Sequence, residues 1–219
     1  MAKPVKPEPK FFLVDHLYAK GLRFYADTWF AAAGSHQRVG EKSTDYLESA
    51  VAAWRIARDL PNVRLIFILR EPADRAYSNY LWSRMNGIET ESLETALALE
   101  DERERTLPDR WKFARPFSYF SRGLYADLLE PYFDRFPRQQ IGVVKFEDIV
   151  TRPADLAWRI HRFLGIAERP MDADGLGVVN PSAKDGPAFD PVTRRALLER
   201  YAGPNRRLAA MLGPDFELW

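Results

Sequence analysis

Apolar and polar positions along this chain sort into short continuous apolar runs and longer stretches of helical spacing. Leu65-Ile66-Phe67-Ile68-Leu69 is an unbroken apolar run that stops at Arg70. Its length and composition predict a strand buried on both faces of a parallel sheet. Pro72 lacks the backbone N–H but fits the first turn of a helix, so strand, tight turn and helix follow one another. This helix runs through Tyr80 and Trp82 to about Met85, where Asn86-Gly87 breaks it. Ile141 to Phe146 predicts a second short strand.

The remaining apolar positions recur at helical spacing. Tyr18 to Phe30 carries Leu22, Tyr25 and Trp29 on one face. Thr44 to Leu60 is amphipathic, with Ser43 as N-cap and Tyr46, Leu47, Val51 and Trp54 as its stripe. Ser92 caps a helix bearing Leu93, Ala96 and Leu97, which ends in the charge run Glu100 to Arg105. Such runs are usually solvated faces, and no function is assigned to this one. A helix opened by Ser121 to Tyr125 continues through Leu128, Leu129, Tyr132 and Phe133, with Pro137 as its stop. Glu147-Asp148 reads as capping for the next helix, which starts near Pro153, carries Leu156, Ile160, Phe163 and Leu164, and ends at Gly165. A last helix, Pro191 to Leu212, presents Leu197, Leu198, Tyr201 and Leu208. Pro4, Pro7 and Pro9 make residues Met1 to Lys10 an extended lead-in.

Composition narrows the picture. A chain of 219 residues fits one domain, 1–219, with a substantial core. Its 32 lysines and arginines nearly balance 31 aspartates and glutamates, so nothing suggests a protein that coats nucleic acid. Without cysteine there are no disulfides, thiolate metal sites or thiol nucleophiles. No apolar run approaches the roughly 18 residues of a membrane span, and the N-terminus lacks a signal-peptide core. A soluble, cytoplasmic protein is the expectation.

The chemistry gathers at the end of the first strand. Open α/β sheets bind ligands at the strands' carboxyl edge, where helix N-termini favour anions. Arg70 stands there, and Ser78, eight positions on, lies far enough along the helix to join it around one phosphate. The run Arg70-Glu71-Pro72-Ala73-Asp74-Arg75-Ala76-Tyr77-Ser78 resembles the 3′-phosphate motif of sulfotransferases that use 3′-phosphoadenosine 5′-phosphosulfate. The nearest branch is that of the heparan sulfate sulfotransferases and their bacterial relatives. The resemblance implies a P-loop-like three-layer α/β fold, with a central parallel sheet flanked by helices, and sulfuryl transfer from that nucleotide to a hydroxyl or amine. Arg70 and Ser78 would hold the 3′-phosphate.

Glu41-Lys42-Ser43 is similar to the family segment that carries the catalytic base. Glu41 would take the acceptor's proton, and Lys42 would stabilise charge developing on the bridging oxygen. Read from the residues alone, Glu41 is an ordinary helix-entry carboxylate favoured by the dipole. Arg122, in an Arg-Gly-x-Tyr run, is a further donor-binding candidate by the same resemblance. Arg110 to Phe120 mixes cations with aromatics, as an acceptor site or as a core edge. At the loop 175–187 the heparan-type relatives carry a Lys-Gly-Arg loop that closes over the donor; this chain departs from it, and only Asn180, Ser182 and Lys184 offer polar contacts there. No metal is implied. The expected acceptor is a small molecule, lipid or carbohydrate.

One family feature has no counterpart. The first strand and the glycine- and lysine-bearing loop that cradles the 5′-phosphosulfate do not occur before Phe11. Gly40-Glu41-Lys42-Ser43 lacks the glycine spacing of such a loop. The chain then starts too late, or is a degenerate homologue, or receives the loop from another chain; a missing N-terminal piece is the favoured expectation. An alternative to an enzyme is accordingly a non-catalytic module that binds a 3′-phosphorylated adenosine nucleotide.

Overall fold

A computed structural model describes residues 8–34, 38–168 and 187–219. In chain order the helices and strands are α1 (Asp15–Tyr18), α2 (Gly21–Trp29), α3 (Ala50–Asp59), β1 (Leu65–Leu69), α4 (Pro72–Met85), α5 (Leu93–Ala98), α6 (Glu100–Arg105), α7 (Tyr125–Phe133), β2 (Ile141–Lys145), α8 (Asp148–Thr151), α9 (Pro153–Leu164) and α10 (Pro191–Leu212). β1 and β2 pair as a parallel sheet in an α/β chain. The described residues divide into two compact units: 8–34, 38–67, 128–142 and 159–168 form the first, and 68–127, 143–158 and 187–219 the second.

The first unit is built on aromatic rings. Phe11 and Phe12 are fully buried and pack edge-on at 5.0 Å, with Tyr25 stacked on Phe11 at 4.7 Å. Tyr18 and Trp29 complete the cluster. Offset and edge-on geometries of this kind add to what burial alone contributes. In a second group Tyr132 is in ring contact with Phe67 and Phe136, and Leu129 and Ile141 are also buried. The second unit centres on Ala73, Ala76 and Tyr80 of α4, Leu93 and Ala96 of α5, Tyr119, and Leu197 and Tyr201 of α10. Here Gly123 is required: a Cβ at that position would lie 2.5 Å from the Tyr201 hydroxyl.

Several expectations hold to the residue. Pro72 is the first residue of α4, Ser92 caps α5 by accepting the Thr95 N–H, and α10 spans Pro191–Leu212. Gly87 and Gly165 both take positive φ where the preceding helices stop.

Others change. The expected helix Thr44 to Leu60 is two pieces: Thr44–Glu48 forms a 3₁₀ turn and the chain extends at Ser49. Ser49, not Ser43, is the N-cap of α3, accepting the Ala52 N–H at 3.1 Å. The break re-phases the helix, so Ala52, Ala53 and Ile56 are buried while Val51 and Trp54 face solvent. Trp54 instead carries the Arg58 guanidinium on its ring. Likewise the stretch Tyr18 to Phe30 breaks at Gly21, which adopts φ +80°, into α1 and α2, and Leu22 is exposed while Tyr25 and Trp29 are buried. β1 is not buried on both faces. Phe67 and Leu69 point inward, and Ile68 is 51% exposed, because among the described residues one strand pairs with β1 and the sheet face bearing Ile68 is left uncovered.

The charge run Glu100 to Arg105 is a solvated face only in part: Asp101, Glu102 and Arg105 are exposed, whereas Glu100, Arg103 and Glu104 turn inward. Glu100 is 3% exposed, and its two oxygens accept the backbone N–H groups of Phe120 (2.6 Å) and Ser121 (2.8 Å). Glu104 is bound by Ser118, Ser121 and Arg115. Arg103 pairs with the buried Glu89 at 2.6 Å, and Glu89 also accepts the Tyr119 hydroxyl at 2.7 Å. Burial pushes Glu104 upward, but its hydrogen bonds outweigh that and hold its pKa below the usual value. These carboxylates stitch α6 to the segment before α7, and so place Arg122.

Candidate active site

Glu41 belongs to the first unit. It lies two residues past Val39, an isolated bridge residue, and just before the 3₁₀ turn. Three hydroxyls converge on its carboxylate. Ser43 donates at 2.7 Å and Tyr25 at 3.3 Å, and Tyr46 also hydrogen-bonds it. The Tyr46 oxygen in turn accepts the Phe12 N–H at 3.2 Å, and Ser43 accepts the Lys10 N–H at 2.9 Å, so two of the three donors are themselves fixed. Among the described residues no cation pairs with Glu41. Burial raises its pKa; the hydrogen bonds from Ser43, Tyr46 and Tyr25 oppose this without cancelling it, and the charge of Glu8 adds to the rise. A carboxylate held this way is a stronger base than one in water. Burial, then the charge of Glu41, pushes Tyr25 and Tyr46 far upward, so both phenols stay protonated and serve as donors.

Lys42 takes another direction. Its ammonium pairs with Glu8 at 2.9 Å, and its side chain is 79% exposed. Ser43, read from sequence as a cap, is bound to Glu41 instead.

Arg70, Ser78 and Arg122 belong to the second unit. Arg70 follows the last residue of β1 and leads into α4. Its guanidinium lies over the Phe146 ring at 5.4 Å, and among the described residues no carboxylate pairs with it. Cation–π contact holds the head group without neutralising it. Ser78 lies two turns into α4. Arg122 donates to the side-chain oxygen of Asn79 at 3.3 Å, the residue after Ser78, and to the Ala114 carbonyl at 3.2 Å. Asn180, Ser182 and Lys184 lie outside the described residues.

The N-terminus of α4 departs from the sequence-based expectation of an anion-binding helix end. Glu71 occupies it, accepting the N–H groups of Ala73 (3.2 Å) and Asp74 (2.7 Å). Burial raises the pKa of Glu71, partly offset by these two N–H groups, and Arg194 pairs with Asp74 at 3.0 Å beside it. The backbone N–H groups at this helix end are thus already engaged, and side chains are what it offers to an anion. Arginine and serine are residue types that give charge-assisted hydrogen bonds to a phosphate monoester, and Arg70, half-buried, has no carboxylate partner among the described residues.

Sequence reasoning placed Tyr25 and Tyr46 on apolar stripes and missed what their hydroxyls do. The available signal was the residue type: a tyrosine where phenylalanine would pack equally well brings a hydroxyl that seeks a partner.

A parallel strand pair with helices on either side of it in sequence places the chain among the α/β folds. Comparison narrows the class: residues 8–174 match the family model of the sulfotransferase domain, and the chain belongs to that family. The mouse heparan sulfate glucosamine 3-O-sulfotransferase 3B1 is 28% identical over 234 aligned positions, which cover 98% of this chain and 57% of the relative. The human bifunctional heparan sulfate N-deacetylase/N-sulfotransferase 2 is 30% identical over 161 positions, covering 68% of this chain and 17% of the relative. The chain thus spans 57% of the 3-O-sulfotransferase it matches. The crystal structure of a sulfotransferase from Alicyclobacillus acidocaldarius superposes with a TM-score of 0.75 at 26% identity, over 97% of this chain and 85% of the other. The fold is P-loop-like, as the motif at Arg70 implied.

Proposed function

We propose that this protein is a sulfotransferase that moves a sulfuryl group from 3′-phosphoadenosine 5′-phosphosulfate to a hydroxyl or amine. Arg70 is the observation that carries the reading: a permanent cation at a strand end, propped on a ring and without a carboxylate partner among the described residues. Arg70 and Ser78 bind the 3′-phosphate, with Arg122 behind them on Asn79. Glu41 accepts the acceptor's proton as that oxygen or nitrogen bonds to sulfur; adenosine 3′,5′-bisphosphate departs with the electron pair of the broken S–O bond. The nucleotide supplies the activated sulfuryl group, and the protein supplies position and a base, the usual division in such transfers.

Matched relatives are named for heparan sulfate, and that supports a carbohydrate acceptor. Lys42, exposed and paired with Glu8, takes a lesser part than Glu41 in this scheme. The test is sulfate transfer from the radiolabelled donor to a panel of glycosaminoglycan oligosaccharides, with Glu41→Gln as control. Transfer that depends on Glu41 is expected. Tight binding of adenosine 3′,5′-bisphosphate with no transfer to any acceptor would replace the enzyme by a nucleotide-binding module.

A further inference from the structure

We propose that Glu147 is a positioning residue for the 3′-phosphate site, acting through the peptide that joins Arg70 to Glu71. The inference rests on the reading of Arg70 given above and adds what makes that arginine fit for its task.

A backbone peptide normally finds its partners in other backbone groups. The 70–71 peptide does not. Its carbonyl, on Arg70, accepts the Tyr125 hydroxyl at 2.9 Å, and its N–H, on Glu71, donates to Glu147 Oε1 at 3.0 Å. One peptide plane is thus gripped at both polar ends by side chains from different elements. Fixing that plane fixes the torsions on either side of it, and with them the direction in which Arg70 leaves the chain. The grip is itself supported. Glu147 Oε2 accepts the Trp219 indole N–H at 2.8 Å, and the Trp219 ring lies 6.0 Å from that of Tyr125. Tyr125 is almost wholly buried, and burial pushes its pKa up to about 12, so its hydroxyl keeps its proton.

Phe146, the neighbour of Glu147, works on the same arginine from the other end. Its N–H donates to the Leu69 carbonyl at 2.7 Å, and its ring lies under the Arg70 guanidinium. The dipeptide Phe146-Glu147 therefore sets both the root and the head of Arg70. A capping role does not describe it: the short α8 stands between Glu147 and the helix at Pro153, and Glu147, the N-cap residue of α8, makes no side-chain capping hydrogen bond there. Both of its oxygens are spent on the 70–71 peptide and on Trp219.

Calorimetric titration with two ligands tests this, adenosine 3′,5′-bisphosphate and adenosine 5′-monophosphate, which lacks the phosphate that Arg70 reads. Glu147→Ala is expected to weaken the bisphosphate about tenfold, the scale of one charge-assisted hydrogen bond, and to leave the monophosphate unchanged. Glu147→Gln, which keeps an oxygen for the Glu71 N–H, restores most of the loss. In an Arg70→Ala background Glu147→Ala has no further effect. Equal weakening of both ligands, or an additive effect in the double variant, would overturn the proposal. If Arg70→Ala abolishes the preference for the bisphosphate and Glu147→Ala leaves it intact, only this inference fails. If Arg70→Ala leaves the preference intact, the donor-site reading fails and takes this inference with it. Should Glu147→Ala not fold, Trp219→Phe removes one hydrogen bond to Glu147 from the surface side; a smaller loss of the same preference supports the proposal, and an unchanged preference contradicts it.

Discussion

Glu41 and Arg70 present opposite solutions to holding a charge ready for use. In the first unit the carboxylate of Glu41 is ringed by neutral hydroxyls and half-buried, so its protonation can change. In the second unit the guanidinium of Arg70 is propped on a ring, and its backbone is clamped by Tyr125 and Glu147. Its charge is permanent, and only its position needs control. In the proposed scheme the base has to be tunable and the phosphate anchor fixed. Each charge lacks a partner of opposite sign among the described residues, which distinguishes both from the many structural ion pairs of this chain.

That contrast can be broken from either side. The largest effect is expected for Glu41→Gln, which removes the base and keeps the shape: sulfate transfer falls by about 10²–10⁴-fold, while affinity for adenosine 3′,5′-bisphosphate stays as it was. Parallel rate and calorimetry measurements check this, and a matching loss of affinity would make Glu41 a structural residue. Next comes the scaffold under Arg122. Glu100→Ala leaves the N–H groups of Phe120 and Ser121 without their acceptor, at a cost of about 1–3 kcal/mol, read as a lower midpoint in urea. The smallest effect is a shift in pH dependence. Because burial raises the pKa of Glu41 and the base acts deprotonated, transfer should climb with pH through a limb above the ordinary carboxylate range. Ser43 opposes that rise, so Ser43→Ala should move the limb to still higher pH; a move to lower pH would contradict the assignment. The sign for stability is the reverse of that for activity. A folded state that holds the Glu41 proton more tightly than the unfolded chain loses stability as pH rises from the usual carboxylate value through the raised one.

Which features were legible in the sequence follows from the range of the interactions that create them. Pro72 at the start of α4, Ser92 before α5 and the span of α10 depend on residues within a turn of one another, and each was readable. The motif Arg70 to Ser78 is equally local, and so was the family. Glu100 reads as a surface charge because its partners, Phe120 and Ser121, lie some twenty residues away. Glu147 reads as a helix cap because its partner, Glu71, is 76 positions distant. The expected helix over Thr44 to Leu60 failed for a subtler reason. Ser43 and Ser49 are both competent caps, and the choice between them was made by Glu41 and the Lys10 N–H, which engage Ser43. The exposure of Ile68 was equally hidden, since an apolar run records a strand and not what covers it.

The central claim is that Arg70 reads a 3′-phosphate. Its most direct test is a calorimetric titration of wild type and Arg70→Ala with adenosine 3′,5′-bisphosphate against adenosine 5′-monophosphate. The account predicts that wild type prefers the bisphosphate and that Arg70→Ala loses the preference, on the order of 10–100-fold, the worth of one charged hydrogen-bonding group. Equal affinity of wild type for the two nucleotides, or a preference that survives Arg70→Ala, would contradict it.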